Sequence, residues 1–221
     1  MHRLRNEPRM ENAPQTAGST IHWAGEYDLM TGLMGLGVKG ANSRMVIELA
    51  GIKPGEKVLD VGCGTGNLTL AAKLSAGPGG EVHGIDAAPE MIAVARRKAQ
   101  RTHLDVTFDV GLIEQIPFPD ATFDAVINRL MMHHLPEDLK RAGLAEILRV
   151  LKPGGRLLIA DFTPPSNHVL HHLASVLVGP RMMHTDTWSL PPLVTAAGFV
   201  ETTSGPTRSA FLAFVSGRKP G

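Results

Sequence analysis

The sequence predicts an α/β fold, with helices on both faces of a largely parallel sheet. Three observations carry this. Short apolar runs alternate with amphipathic ones along most of the chain. Residues 57–66, KVLDVGCGTG, read as a buried strand (Val58, Leu59, Val61) that breaks straight into a glycine-rich turn and a helix. The next strand ends on an acid, Asp86, 20 residues beyond Gly66. The chain has 221 residues, 43% hydrophobic and 19% charged, which suits one α/β domain with an extension and a sizeable core. A net charge of +1 gives no global field to draw nucleic acid or an acidic surface. The single cysteine, Cys63, permits no internal disulfide, the polar N-terminus lacks a signal-peptide apolar region, and no apolar run nears the roughly 18–20 residues that span a bilayer. The expectation is a cytoplasmic protein without a transmembrane segment.

The elements follow in order. Residues 1–20 carry Arg3, Arg5 and Arg9 and read as a mobile tail or as a lid that orders over a ligand. Residues 21–37, IHWAGEYDLMTGLMGLG, mix aromatics, methionines and glycines, which suits an adaptable wall over a pocket. The expected division is therefore a tail and lid over 1–38 and a catalytic domain over 39–221. A helix over 39–50 places Met45, Val46 and Leu49 on one face; Gly51 stops it, and Pro54-Gly55 turns into the first strand. The helix after the glycine turn runs from about Thr65 to about Ser75 and is broken by Ala76-Gly77-Pro78-Gly79-Gly80. The second strand, 81–86, leads to a helix with Pro89 in its first turn and Met91, Ile92, Ala95 and Ala99 on its apolar face. Arg96, Arg97, Lys98 and Arg101 read as its solvated side. Strands follow at 104–110 and 123–128, then a helix over 137–151 with Leu144, Ile147, Leu148 and Leu151 as its core stripe. Lys152-Pro153-Gly154-Gly155 turns into a fifth strand over 156–161. Residues 162–188 form an insertion, with Val169, Leu170, Leu173, Val176 and Leu177 on one helical face, read as a substrate cover. A last helix near 189–197 and strands at 199–203 and 209–216, turned by Gly205-Pro206, make an antiparallel ending.

Chemistry concentrates at the glycine turn. A dinucleotide fingerprint needs Gly-x-Gly-x-x-Gly, whereas here Gly62-Cys63-Gly64-Thr65-Gly66 leaves Asn67 in the third-glycine place; no Lys-Ser/Thr follows, so it is no P-loop. The tight Gly-x-Gly-x-Gly preceded by Asp60 resembles motif I of the class I S-adenosylmethionine (AdoMet) methyltransferases. Three further stretches resemble the ubiquinone/menaquinone-biosynthesis C-methyltransferase family (methyltransferase type 11). Tyr27, Asp28, Met30, Leu33, Met34 and Gly37 match its "YD-x-M…LM-x-x-G" segment. GLIEQIPFPDATFD is similar to its "G-D-A-E-x-L-P-F-x-D-x-x-F-D" passage, and VLKPGG followed by a strand matches closely. The resemblance covers roughly residues 25–161.

It implies a Rossmann-like seven-stranded sheet of order 3-2-1-4-5-7-6 with the last strand antiparallel, AdoMet as cofactor and S-adenosylhomocysteine as product. The cofactor-binding residues it implies are Tyr27 over the methionine moiety; Asp60, Gly62, Gly64, Gly66 and Asn67 at the loop; Asp86, Ala87 and Met91 at the ribose; Gly111, Leu112 and Ile113 at the adenine; and Asn128 and Arg129 at the end of the fourth strand. An acid at the end of the second strand is itself placed to accept both ribose hydroxyl hydrogens. Packing stays open as the alternative role of Tyr27, and helix capping as that of Asp86. Leu112 stands where the family has an acid beside the adenine, and Glu114 matches the following acid. Adenine would then be held by apolar contacts with Leu112 and Ile113 and main-chain groups, or by Asp109 in a shifted register.

The segment Asn128-Arg129-Leu130-Met131-Met132-His133-His134 lies at the carboxyl end of the fourth strand, where open α/β sheets bind ligands. His133 and His134 are the candidate bases, since His titrates near neutrality; core packing or capping is the competing role for each. His168, His171, His172 and His184 on the insertion are further candidates. Histidine spacing matches no zinc pattern, so no metal is expected. The function expected is AdoMet-dependent methyl transfer, by in-line displacement, to a small lipophilic or aromatic acceptor such as a quinol, phenol or lipid. Transient membrane-surface contact would suit a lipid acceptor. A nicotinamide-dependent oxidoreductase and a non-catalytic AdoMet-binding protein stand as alternatives. A nucleic-acid methyltransferase is disfavoured, because no Asn/Asp-Pro-Pro-Tyr/Phe motif follows the fourth strand.

Overall fold

The computed structural model describes residues 40–164 and 187–221. Its elements in chain order are α1 (Ala41–Ala50), β1 (Lys57–Val61), α2 (Asn67–Ala76), β2 (Glu81–Asp86), α3 (Pro89–Thr102), β3 (Thr107–Val110), β4 (Phe123–Arg129), a 3₁₀ turn (Met132–His134), α4 (Glu137–Val150), β5 (Leu151–Phe162), a second 3₁₀ turn (Thr187–Ser189), α5 (Leu190–Ala196), β6 (Val200–Pro206) and β7 (Leu212–Arg218). The strands form one seven-stranded sheet of order β3-β2-β1-β4-β5-β7-β6. Pairings from β3 through β5 are parallel, and β7 runs antiparallel between β5 and β6. This is the expected order, with its reversal between β1 and β4.

Both faces of the sheet are buried, which is why its central strands are almost continuously apolar. Alternation sorts their side chains. Leu59, Val61, Val126 and Ile159 join Leu144 and Ile147 of α4 and Val194 of α5 in one core cluster. Val58, Ala125, Ile127 and Leu158 join Val46 of α1 and Leu68 of α2 on the other face. A third cluster sets Ile92, Ala95 and Ala99 of α3 against Leu70, Phe108 and Cys63.

Several boundaries differ from the sequence reading. Leu49 is 41% exposed while Ser43, Met45, Val46, Ile47 and Ala50 are buried. Arg156 Nε donates to Ala50 O at 2.7 Å, tying the carboxyl end of α1 to β5. β3 begins only at Thr107, where pairing with His83 begins, while Leu104 and Val106 pack as approach residues. The Lys152–Gly155 stretch lies inside β5 rather than before it. Register jumps from Phe123↔Leu151 to Ala125↔Arg156, and Gly154 takes φ +72°, so the four residues bulge out of a strand that pairs on either side. Gly205 and Pro206 likewise remain in β6, paired with Phe214 and Ala213, and the turn falls after them.

Candidate active site

At the carboxyl end of β1 the chain enters the glycine loop. Gly62, Gly64 and Gly66 all have positive φ (+71°, +52° and +80°), a region costly for a residue with a Cβ. Two of them are also sterically committed. A Cβ on Gly62 would lie 2.5 Å from Met131 Cγ, and one on Gly66 would lie 2.7 Å from Phe108 Cζ. The loop is pinned by Gly62 and Cys63 N–H groups donating to Ile85 O at 2.8 and 2.9 Å.

Asp86 ends β2 and accepts from two backbone amides: Gly64 N–H at Oδ2, 2.8 Å, and Ala88 N–H at Oδ1, 2.9 Å. It thus braces the glycine loop and the residue before α3, while α3 itself has no side-chain cap. A carboxylate has about four lone-pair directions, and these two bonds leave others to face a ligand. Burial pushes its carboxyl above the ordinary range despite both bonds. Ala87 beside it is half-buried, and Met91 is buried against Ala88.

Asp60, Gly62, Cys63, Thr65, Asn67, Leu68 and Arg129 line a shallow, solvent-open cleft. Asp60 is 1% exposed and accepts from Thr69 Oγ1 at 2.6 Å. Burial pushes its carboxyl up to about 6, offset in part by the Thr69 hydroxyl and the Arg129 guanidinium. Arg129 is fixed by a 2.7 Å hydrogen bond from Nη1 to Ser43 Oγ. Lys98 corrects the solvated-face reading of the α3 basic run. Its Nζ reaches Thr65 Oγ1 at 2.9 Å and Asn67 Oδ1 at 2.8 Å, clamping the start of α2. A long aliphatic stem lets a basic residue one turn from the solvent side reach over a neighbouring helix end.

Near the expected adenine position, Gly111 N–H donates to Asp86 O at 3.0 Å. Leu112 is half-buried and bridges to Gln115. Ile113 turns into the core over Gly143 of α4, where a Cβ would come within 2.5 Å of Ile113 Cγ1. Asp109 pairs with Arg96 at 3.0 Å. The expected use of the Ile113 side chain as an adenine wall therefore does not fit its packing.

Across the sheet's switch in order, Asn128 is fully buried and donates from Nδ2 to Val61 O at 2.6 Å, tying the end of β4 to the end of β1. Leu130 then takes φ +55°, strained for a γ-branched residue, while its N–H donates to Ala160 O at 3.0 Å. That kink sends Met131 against Gly62 and starts the 3₁₀ turn that carries both histidines. His133 reaches Asp161 at the end of β5, Nδ1 to Oδ1 at 2.5 Å, with both side chains almost wholly buried. The ring of His134 lies 4.0 Å from that of His133, centre to centre. Burial, then the neighbouring His133, push His134 down to about 4.

Asp161 escaped the sequence reading. The available signal was an acid closing a hydrophobic strand that neighbours β4, the same pattern that marks Asp86. Tyr27, the lid segment, the apolar face from Val169 to Leu177 and His168, His171, His172 and His184 lie outside the described residues. Among the described residues, no group of three or more His, Cys, Asp or Glu is arranged to hold a metal ion, and no helix is long and apolar enough to cross a membrane.

Comparison with known proteins gives consistent findings. A methyltransferase-domain family model matches residues 58–155. The chain is 32% identical to a ubiquinone/menaquinone biosynthesis C-methyltransferase of Saccharophagus degradans, over 95% of this chain and 93% of that protein. It is 42% identical to a demethylmenaquinone methyltransferase of Thermus thermophilus over 64% of this chain and 63% of that one. Among solved structures, an AdoMet-dependent methyltransferase from Aquifex aeolicus superposes with a TM-score of 0.70 at 24% identity, covering 89% of this chain and 96% of that chain. A Haemonchus contortus phosphoethanolamine N-methyltransferase bound to S-adenosylhomocysteine gives 0.69 at 19%, over 90% and 57%. These two likenesses speak for the fold.

Proposed function

We propose that this chain, which belongs to the class I AdoMet-dependent methyltransferase family that includes the ubiquinone/menaquinone-biosynthesis C-methyltransferases, methylates a quinol-like aromatic acceptor. AdoMet is its methyl donor; when bound, it supplies an electrophilic methyl group on a sulfonium and is released as S-adenosylhomocysteine. The observation that carries the reading is the contact between the two halves of the site. Met131, two residues before His133, packs against Gly62 of the glycine loop, so the cofactor loop and the histidine turn share one wall.

The residues present fit the cofactor's chemistry. Positive-φ glycines let main chain approach a nucleoside closely, and Asp86 retains lone pairs for a ribose diol. Asp60 and Arg129 face the same cleft with opposite charges, suited to the ammonium and carboxylate of an amino acid. Asn128 Oδ1 is a buried acceptor without a hydrogen-bond partner among the described residues. Gly111, Leu112 and the main chain of Ile113 follow at the expected adenine edge, held to Asp86 by the Gly111 amide.

The remaining tasks fall to orientation and proton removal. Holding an acceptor carbon or oxygen in line with the methyl group supplies several kcal/mol of the acceleration on general grounds. A hydroxylated aromatic becomes a strong carbon nucleophile once its hydroxyl proton is removed, and His133 is the side chain proposed to take it. The relatives' names support a quinone-ring acceptor. Labelled-methyl transfer to demethylmenaquinol, compared with simple phenols, amines and phospholipid vesicles, tests the reading. The expected result is turnover of the quinol above all others; transfer to an amine or phospholipid alone would overturn it.

A further inference from the structure

The 3₁₀ turn offers two adjacent histidines, and the geometry distinguishes them. Asp161 accepts three contacts: His133 N–H at Oδ2 (3.0 Å), Phe162 N–H at Oδ1 (2.7 Å) and, 2.5 Å from Oδ1, the Nδ1 of His133. Each of its oxygens already accepts a main-chain N–H, the arrangement of a group that accepts rather than donates. The ring nitrogen facing it is therefore the donor. In the neutral imidazole this leaves the lone pair on Nε2, which is buried and without a hydrogen-bond partner among the described residues. An orphaned buried acceptor is costly, so the site is poised to receive a donor hydrogen.

Among the described residues, His134 has no comparable partner. Its ring lies beside that of His133, tilted 44° to it, and burial with the adjoining ring drives it down to about 4, too weak a base to serve near neutrality. The strained Leu130 is what aims the chain: its left-handed φ and its bond to Ala160 turn the backbone over the end of β5, where Asp161 waits.

We propose that Asp161 is the positioning residue of a buried His133–Asp161 pair that presents Nε2 of His133 as the proton acceptor for the hydroxyl of the methyl acceptor. This rests on the quinol-like reading above. The step balances: the acceptor's O–H bond breaks, its electron pair stays on oxygen, and the proton bonds to Nε2; once the ring carbon carries the methyl group, that carbon's own C–H bond breaks and its proton goes to the oxygen, restoring the hydroxyl. The resulting imidazolium is stabilised by the Asp161 carboxylate until the proton, the net one released by methyl transfer, passes to water.

The test has two arms. In the first, protein labelled with ¹⁵N-histidine and saturated with S-adenosylhomocysteine is read by two-bond ¹H–¹⁵N correlation, with His133 assigned by loss of its signals in H133Q. The expected result is a protonated Nδ1 and a bare Nε2. In the second, D161N with demethylmenaquinol should lose about 10²-fold in kcat while KM for AdoMet stays within about threefold. A purely structural Asp161 would instead lower Tm and leave kcat of the folded enzyme unchanged, which overturns the proposal. So does an Nε2-protonated ring in the wild-type protein, a result that stands even if D161N does not fold. A wild-type enzyme with the stated tautomer that leaves demethylmenaquinol unmethylated upholds the pair and overturns the acceptor reading.

Discussion

The two sides of this site are built by different means. The proposed cofactor side, at the ends of β1 and β2, is made of main-chain amides and three left-handed glycines inside 30 consecutive residues, from Lys57 to the Asp86 that closes it. The proposed acceptor side, at the ends of β4 and β5, is made of side chains 28 residues apart that meet only because those strands pair in parallel. The first depends on backbone freedom and tolerates almost no added atom. The second depends on charge and proton placement and tolerates changes of shape better than changes of chemistry.

The largest expected effect tests the first half of that contrast. Gly62→Val places a branched Cβ in a left-handed residue and within 2.5 Å of Met131, so it should abolish the AdoMet-induced thermal shift and lower stability by about 2–4 kcal/mol. A normal shift would reduce the loop to an ordinary turn. Asp86→Ala comes next. Removing a charged acceptor costs about 1.5–3 kcal/mol, or some tenfold to 150-fold in AdoMet affinity by calorimetry. Unchanged affinity would leave Asp86 with its bracing role alone.

Acid sharpens the comparison, because the two sides respond to it in opposite senses. Asp60 is raised to about 6, so the folded state holds its proton more tightly than the unfolded chain; its contribution to stability grows as pH falls from about 6 toward 4. His134 is lowered to about 4, so the unfolded chain takes the proton first, and stability falls over pH 6.5 to 4. The wild-type protein should therefore show a shallow acid dependence in denaturant titrations over this window. Asp60→Asn should make it steeper, and His134→Gln should make stability rise as pH drops toward 4. If both variants keep the wild-type slope, these groups do not carry the dependence. AdoMet affinity should meanwhile weaken below pH 6 in the wild type and lose that dependence in Asp60→Asn.

The smallest effect concerns the clamp. Lys98→Met keeps the stem over α2 but removes the bonds to Thr65 and Asn67; the expected cost is about 1 kcal/mol, roughly fivefold in AdoMet affinity. A loss as large as that of Asp86→Ala would move Lys98 from the loop's support into the cofactor site.

By itself the sequence determined the alternation of strands and helices, the glycine loop, the acid closing β2 and the histidine turn after β4. These are local: a five-residue strand must be apolar to be buried on both faces, and left-handed turns need glycine, so both leave marks readable within a few residues. The resemblance carried by Asp60–Gly66, 111–124 and the VLKPGG stretch supplied the strand order. Tertiary structure alone decided the rest. Leu49 lies outside because the stripe of α1 that meets its neighbours runs through Ser43, Val46, Ile47 and Ala50. Lys98 leaves the solvated face because α2 begins within its reach. Ile113 is taken into the core because α4 presents a glycine to it. Asp161 becomes the partner of His133, and His134 does not, because β5 pairs beside β4 and the kink at Leu130 points one ring rather than the other at the strand's end. Periodicity records which face a residue turns to its own element's neighbours. It carries no record of which distant side chain waits there, because that depends on register and on the packing of elements far apart in the chain.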